Sequence, residues 1–430
     1  MRALLFTILI LVVILGGIVG WLILSTPSTS AGLRYPLPAN QRALLGLVPA
    51  SADSFALIPT AAALESKVRA NPITREASSQ WMAKQNLPNP WIIGSADLVA
   101  WRHDKTTSYA LALDPLRAKL VKLYLMFGAT MDVRWSGTTL LINAPVEPPI
   151  AGDEMARLLA ATDKLPPGDA LIVQRELSRG AFPPIARPAV TSAQITSDAI
   201  VLTSRAPLTE QTTSSALDAK FPKAALLTAT FGTPPKSLDD LGRLLGGARI
   251  STLLGAGGTV ALYDVDAHKL LPRPRGVIVL PADDQRRATF NDLAKTLIPG
   301  GLNVETHRRS GTVDVTTREG LGYTVESADT GSELLLAFDR SSIDLYIKDA
   351  FEAGRWPGGR WAMRMDAPRL VPILEDLGHN PGFRIAAPHL FRSAKDVSGW
   401  IHYLEDAKTI EAADSADGSD EQLQVRVTSK

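Results

Sequence analysis

Hydrophobic and polar positions divide the chain into one long apolar block at its start and, after it, many short segments whose period alternates between strand-like and helix-like. After Met1-Arg2, an uncharged run extends from Ala3 to Leu24. It matches the roughly 20 helical residues that cross a bilayer core and exceeds the roughly 7–15 apolar residues of a cleaved signal peptide. The pattern therefore predicts a cytoplasmic tip and transmembrane helix over 1–24. Arg2 precedes this run and no Lys or Arg follows until Arg34, so the positive-inside bias keeps the N-terminus in the cytoplasm and exports everything after Ser25. Residues 25–45, rich in Ser, Thr and Pro, read as a flexible tether.

Beyond the tether, Ser54–Ile58 reads as a strand and Ala61–Ala70 as a helix stopped by Pro72. Asp97–Trp101 and Ser108–Leu113 read as a strand pair. Pro115–Phe127 reads as a helix opened by Asp114-Pro115 and closed by Gly128. Met131–Trp135 and Thr138–Ala144 flank the turn signal Ser136-Gly137, and Asp153–Ala161 is a short helix. The second half returns to this order. Ala224–Thr230 is a strand, Leu238–Leu245 a helix, Thr259–Asp264 and Gly276–Leu280 a strand pair, and Asp283–Leu297 a helix. Ser310-Gly311-Thr312 sits between two strand candidates as Ser136-Gly137-Thr138 does, and each half closes on a hairpin pattern. The first of these is Ala193–Thr196 with Ile200–Thr203, and the second is Gly399–Leu404 with Leu423–Val427. The recurrence predicts an α+β fold: an N-terminal transmembrane helix followed by two tandem, duplicated α+β modules with mainly antiparallel sheets, over 46–210 and 218–430. The acidic stretch Glu411–Glu421 reads as a solvated hairpin tip.

Composition narrows the chemistry. Lys plus Arg is 45 against 44 for Asp plus Glu, so no global field draws the chain to nucleic acid. Cysteine is absent, which excludes disulfides, thiolate zinc sites, a cysteine nucleophile and a lipidated cysteine. An exported chain without disulfides fits a bacterial envelope. The expected location is thus the bacterial inner membrane, single-pass, with the ectodomain in the periplasm. None of the six histidines stands at a metal-site spacing, and no Gly-x-Ser-x-Gly elbow occurs. Gly255-Ala256-Gly257-Gly258-Thr259 lacks the Gly-Lys-Ser/Thr of a phosphate loop and precedes a strand. Asp414, Asp417 and Asp420 lack the spacing of a calcium loop. No catalytic residue, cofactor or metal ligand is assigned. Two site expectations remain. Gly16 and Gly20 form a Gly-x-x-x-Gly pair suited to helix dimerisation. Arg273, Arg275, Arg286, Arg287, Arg308 and Arg309 form a candidate anionic docking face, with Asp283, Asp284, Asp292 and Glu305 interspersed so that an ordinary mixed-charge surface is the competing reading. Trp81, Trp91, Trp356 and Trp361 flank Pro-, Asn- and Gly-rich stretches and read as local core plugs.

The segment Leu47-Val48-Pro49-Ala50-Ser51-Ala52-Asp53-Ser54-Phe55-Ala56, followed by an Ala- and Leu-bearing helix ending near Asn71-Pro72, resembles N-terminally anchored bacterial envelope proteins. In these, proline, a small residue, aspartate and then a strand open each repeated α+β module. Phe221-Pro222-Lys223-Ala224-Ala225-Leu226 is a looser second instance without the aspartate. The resemblance implies architecture alone, because that family has no agreed activity. The expected function is a non-enzymatic, membrane-anchored binding or scaffolding protein of the envelope, whose partner is an envelope protein or an apolar ligand. An envelope hydrolase with an atypical carboxylate or serine site and a lipid-binding ectodomain are the alternatives.

Overall fold

The computed structural model describes residues 32–75, 96–103, 106–126, 132–175, 189–207, 217–232, 257–268, 272–296, 304–320, 323–356, 359–381, 404–417 and 420–430. The chain divides into two compact units, Met1–Pro207 and Leu208–Lys430.

Among the described residues of the first unit, helices α1 (Ala39–Leu45), α2 (Ala61–Ala70), α3 (Pro115–Met126) and α4 (Gly152–Thr162) interleave with eight strands. These are β1 (Ser54–Ile58), β2 (Asp97–His103), β3 (Thr106–Ala112), β4 (Val133–Ser136), β5 (Thr139–Ile142), β6 (Ala170–Gln174), β7 (Ala189–Ile195) and β8 (Ala199–Pro207). They pair antiparallel throughout, in the order β4-β5-β3-β2-β1-β6-β7-β8. Successive side chains of a strand point to opposite faces, and here both faces are covered. Val99 and Trp101 of β2 join Phe55, Leu57, Leu171 and Val173 in a core closed by Leu44 and Leu45 of α1 and by Leu158 and Leu159 of α4. Leu98 of the same strand points the other way, with Leu111, Leu140 and Ile142, toward Ala118 and Val121 of α3.

The second unit contains β9 (Leu217–Pro222), β10 (Leu227–Phe231), β11 (Gly258–Asp266), β12 (Arg273–Pro281), α5 (Asp284–Thr296), β13 (Val304–Ser310), β14 (Val313–Gly320), β15 (Tyr323–Asp329) and β16 (Glu333–Ala337). It continues with α6 (Ser342–Lys348), β17 (Phe351–Trp356), β18 (Gly359–Asp366), α7 (Ala367–His379), β19 (Ala407–Asp417) and β20 (Asp420–Ser429). Its main sheet runs β13-β14-β15-β16-β12-β11-β10-β18-β19-β20, again antiparallel throughout. β9 and β17 form a separate ribbon. Val277, Val279, Leu335 and Ala337 face Ile343 and Tyr346 of α6, whereas Leu280, Leu334 and Leu336 face Phe290 of α5. The outer strands β13 and β14 thus lie in a sheet that has a helix on each face. Strands β3-β2-β1-β6-β7-β8 and β12-β11-β10-β18-β19-β20 follow one order, and the units differ in what is added beyond β3 and β12. Helix α7 is capped by Asp366, whose carboxylate accepts from the Arg369 N–H at 3.3 Å. Asp366→Ala is expected to cost about 1 kcal/mol, read by thermal unfolding.

These observations correct three expectations. The α+β class with an N-terminal transmembrane helix gives way to a mainly β architecture, with twenty strands against seven helices among the described residues. Some of the extra strands come from polar segments that carry no apolar run. Acidic Glu411–Asp417 lies in β19, and Asp420 and Glu421 open β20, so these residues are paired strand rather than a solvated loop. The transmembrane and single-pass expectation is also overturned, and with it the placement in a bacterial inner membrane with a periplasmic ectodomain. Among the described residues no helix is long and apolar enough to cross a membrane. The longest, of 13 residues, spans about 20 Å at 1.5 Å per residue, short of a roughly 30 Å hydrocarbon core. The run Ala3–Leu24, with Gly16 and Gly20, lies outside the described residues. Leu238–Leu245, Trp81 and Trp91 also lie outside them.

Candidate functional site

Strand β13 ends one side of the second unit's sheet. It pairs with β14 from Val304↔Glu319 to Ser310↔Val313, and among the described residues no strand pairs with its outer side. The hairpin turns through Gly311-Thr312. Gly311, at φ +61, supplies the positive φ that a two-residue hairpin turn needs at its first central position. In such a hairpin the closing pair, Ser310 and Val313, exchanges backbone hydrogen bonds, and bonded residues then alternate along the strand. Val304, Thr306, Arg308 and Ser310 therefore bond inward to β14, and the N–H and C=O groups of Glu305, His307 and Arg309 point outward. The strand is exposed from Val304 to His307 and again at Arg309.

Its side chains divide by face. Arg308 turns toward α6 and grips Glu326, which is 0% exposed, through Nη2 at 2.8 Å and Nε at 3.2 Å, while Nη1 donates to Asp344 at 2.7 Å. Thr317 donates to the same Glu326 at 2.9 Å. The bond to Glu326 raises Arg308 above its ordinary value. Burial pushes Asp344 up, but the hydrogen bond and charge of Arg308 outweigh it and hold its carboxyl below the usual range. On the opposite face Glu305 meets Arg318 at 3.0 Å and His307 at 3.3 Å, and Arg309 stands 4.0 Å from Asp314. Arg318 on this face is buried, whereas the edge residue Arg309 stays in water, its side chain 71% exposed.

The six arginines of the expected docking face occupy separate places. Arg273 and Arg275 lie at the start of β12, and Arg275 faces Asp264 at 3.9 Å. Arg286 and Arg287 lie on α5, beyond the far end of the same strand. Eight steps along a strand cover about 26 Å, so these pairs do not share a patch. Arg286 binds Asp283 at 3.0 Å, and Arg287 binds Asp329 at 2.8 Å and Asp284 at 3.3 Å. Arg308 and Arg309 are adjacent in sequence and point to opposite faces. Sequence reading set a strand candidate on each side of Ser310-Gly311-Thr312, and what it missed is that β13 is an open edge that sends Arg308 and Arg309 to opposite faces.

A second polar cluster lies at the other end of the sheet. A bulge between Gly359 and Trp361 turns Arg360 toward β19, where its guanidinium binds Asp414 at 2.6 Å and also Glu421 of β20. Asp414 is buried, its Oδ1 finds no hydrogen-bond partner, and burial pushes its carboxyl up to about 6, with Arg360 opposing and Glu421 adding to the rise. Among the described residues no group of carboxylates and histidines is arranged to hold a metal ion. Asp414 is thus committed to Arg360. No protein-family model, curated protein or solved structure matches this chain.

Proposed function

We propose that this chain is a non-catalytic binding protein whose working surface is the open β13 edge, onto which an extended segment of another protein chain adds as a further strand. The observation that carries the reading is the outward row of backbone groups at Glu305, His307 and Arg309 on an exposed strand with nothing paired beside it among the described residues. Main-chain hydrogen bonds supply the affinity in strand addition, and alternate side chains supply the selectivity. Of the two partner classes expected from sequence, this favours a protein over an apolar ligand.

Proline substitution tests the edge directly, because it deletes one N–H. His307→Pro removes an outward donor, which an edge strand tolerates, and is expected to leave the unfolding free energy within about 1 kcal/mol of the parent. Thr306→Pro removes a bond to β14 and is expected to cost more than that. Short displayed peptides selected on the full chain are expected to lose binding to His307→Pro by at least about tenfold. Equal capture by both proteins, or no enrichment on the parent, overturns the reading.

A further inference from the structure

We propose that the strand added to β13 is β13 of a second copy of this chain, running antiparallel about a two-fold axis through His307. The inference rests on the reading of β13 as an open binding edge and adds the identity and register of its partner. Edge strands ordinarily discourage such pairing by carrying charges of one sign. β13 carries both signs, placed symmetrically. With the axis on His307, Glu305 lies opposite the partner's Arg309, and Arg309 lies opposite the partner's Glu305. Thr306 then faces the partner's Arg308, and Val304 faces the partner's Ser310.

Parity leaves few other registers. A two-fold axis perpendicular to the sheet keeps paired residues on one face, so the axis passes through a residue. On Thr306 it sets Glu305 against the partner's His307 and Val304 against the partner's Arg308. On Arg308 it sets His307 against the partner's Arg309, two nitrogen donors face to face. Only the axis on His307 yields two opposite-charge pairs.

Those pairs extend a row that already exists within each chain. Glu305 sits beside Arg318 at 3.0 Å, and Arg309 sits near Asp314 at 4.0 Å, all on one face of the sheet. Across the seam the order becomes Arg318, Glu305, the partner's Arg309, the partner's Asp314, with the sign changing at every step. The backbone agrees, because the residues that meet in this register, Glu305, His307 and Arg309, are those whose N–H and C=O groups point outward. A seven-residue seam is small beside a standard protein interface, so the association is weak and concentration-dependent.

Sedimentation velocity of the full chain, from micromolar to submillimolar concentration, tests this with two single variants. Arg309→Glu and Glu305→Arg each place like charges opposite one another twice in a self-pair, and each alone is expected to weaken the dimer by about tenfold. Mixed in equal amounts they restore both opposite-charge pairs, and the mixture is expected to dimerise near the parent's affinity, which also shows that both variants are folded. A parent that stays monomeric across the range, a dimer indifferent to either variant, or a mixture as weak as its components overturns the proposal. Peptide selection with His307→Pro separates the two readings. A monomeric parent whose peptides are still lost in that variant overturns the second copy alone, and a monomeric parent with no edge-dependent peptides overturns the edge as well.

Discussion

Arg308→Met is expected to lower the unfolding free energy by about 3–5 kcal/mol, the cost of leaving a buried charge without its partner. Glu326 is fully enclosed, and its two carboxylate oxygens receive Nε and Nη2 of Arg308 and the hydroxyl of Thr317. Methionine matches much of the arginine stem and removes the fork, so the loss reports the stranded carboxylate rather than a cavity. Asp344 loses the same cation, but at 31% exposure it regains water and adds little. The companion variant Arg308→Met with Glu326→Leu removes both charges and is expected to recover most of the loss, because a buried ion pair is roughly replaceable by apolar groups of like size. Arg309→Met, one residue away, removes an arginine that is 71% exposed and 4.0 Å from its carboxylate, and is expected to change stability by no more than about 0.5 kcal/mol. Urea unfolding at neutral pH reads all three. Equal small losses for both single variants would show that Glu326 is hydrated in solution and that the ion pair does not pin α6 to the sheet.

The contrast between these neighbours shows what the sequence made legible. Ser54–Ile58 and Ala61–Ala70 were readable to the residue, because an apolar run and an i, i+4 apolar spacing bounded by turn and proline signals leave little choice. The strand pair around Asp97–Trp101 and the helix from Pro115 were readable for the same reason. Arg308 and Arg309 defeat a sequence-level grouping, because a strand sends adjacent side chains to opposite faces. One arginine enters a fully buried ion pair and the other stays in water, and pooling six arginines by proximity along the chain cannot separate them. Sheet content was under-read because strands such as β19 are polar and are held by backbone pairing with their neighbours rather than announced by apolar alternation of their own. Asp414 was visible only as one of several small acidic residues. Its burial depends on the bulge at Arg360, more than fifty residues earlier, and on the register that sets Trp361 opposite it.

That burial gives Asp414 an unusual relation between stability and pH. Its carboxyl is pushed from the ordinary 3.8 up to about 6 in the folded chain, chiefly because burial strips water from the charged form. The folded state therefore holds this proton more tightly than the unfolded state does. The sign follows from linkage: the contribution is fully present below about pH 4 and is lost as pH rises through about 6. Two pH units correspond to on the order of 3 kcal/mol, so acidification from neutrality toward pH 4 is expected to stabilise the fold at this residue. Carboxyls such as Glu352, whose hydrogen bond and charge contact with Arg364 hold it below its ordinary value, act in the opposite direction and mask the effect in the parent curve. The difference between parent and Asp414→Asn isolates it, because asparagine keeps the volume and an acceptor for Arg360 and does not titrate. Unfolding free energies measured from pH 4 to pH 8 are expected to converge at the acid end, with the variant gaining on the parent by on the order of 3 kcal/mol toward the alkaline end. Parallel curves across that window would mean that Arg360 balances both the burial of Asp414 and the charge of Glu421, and that the orphaned Oδ1 finds a partner in solution.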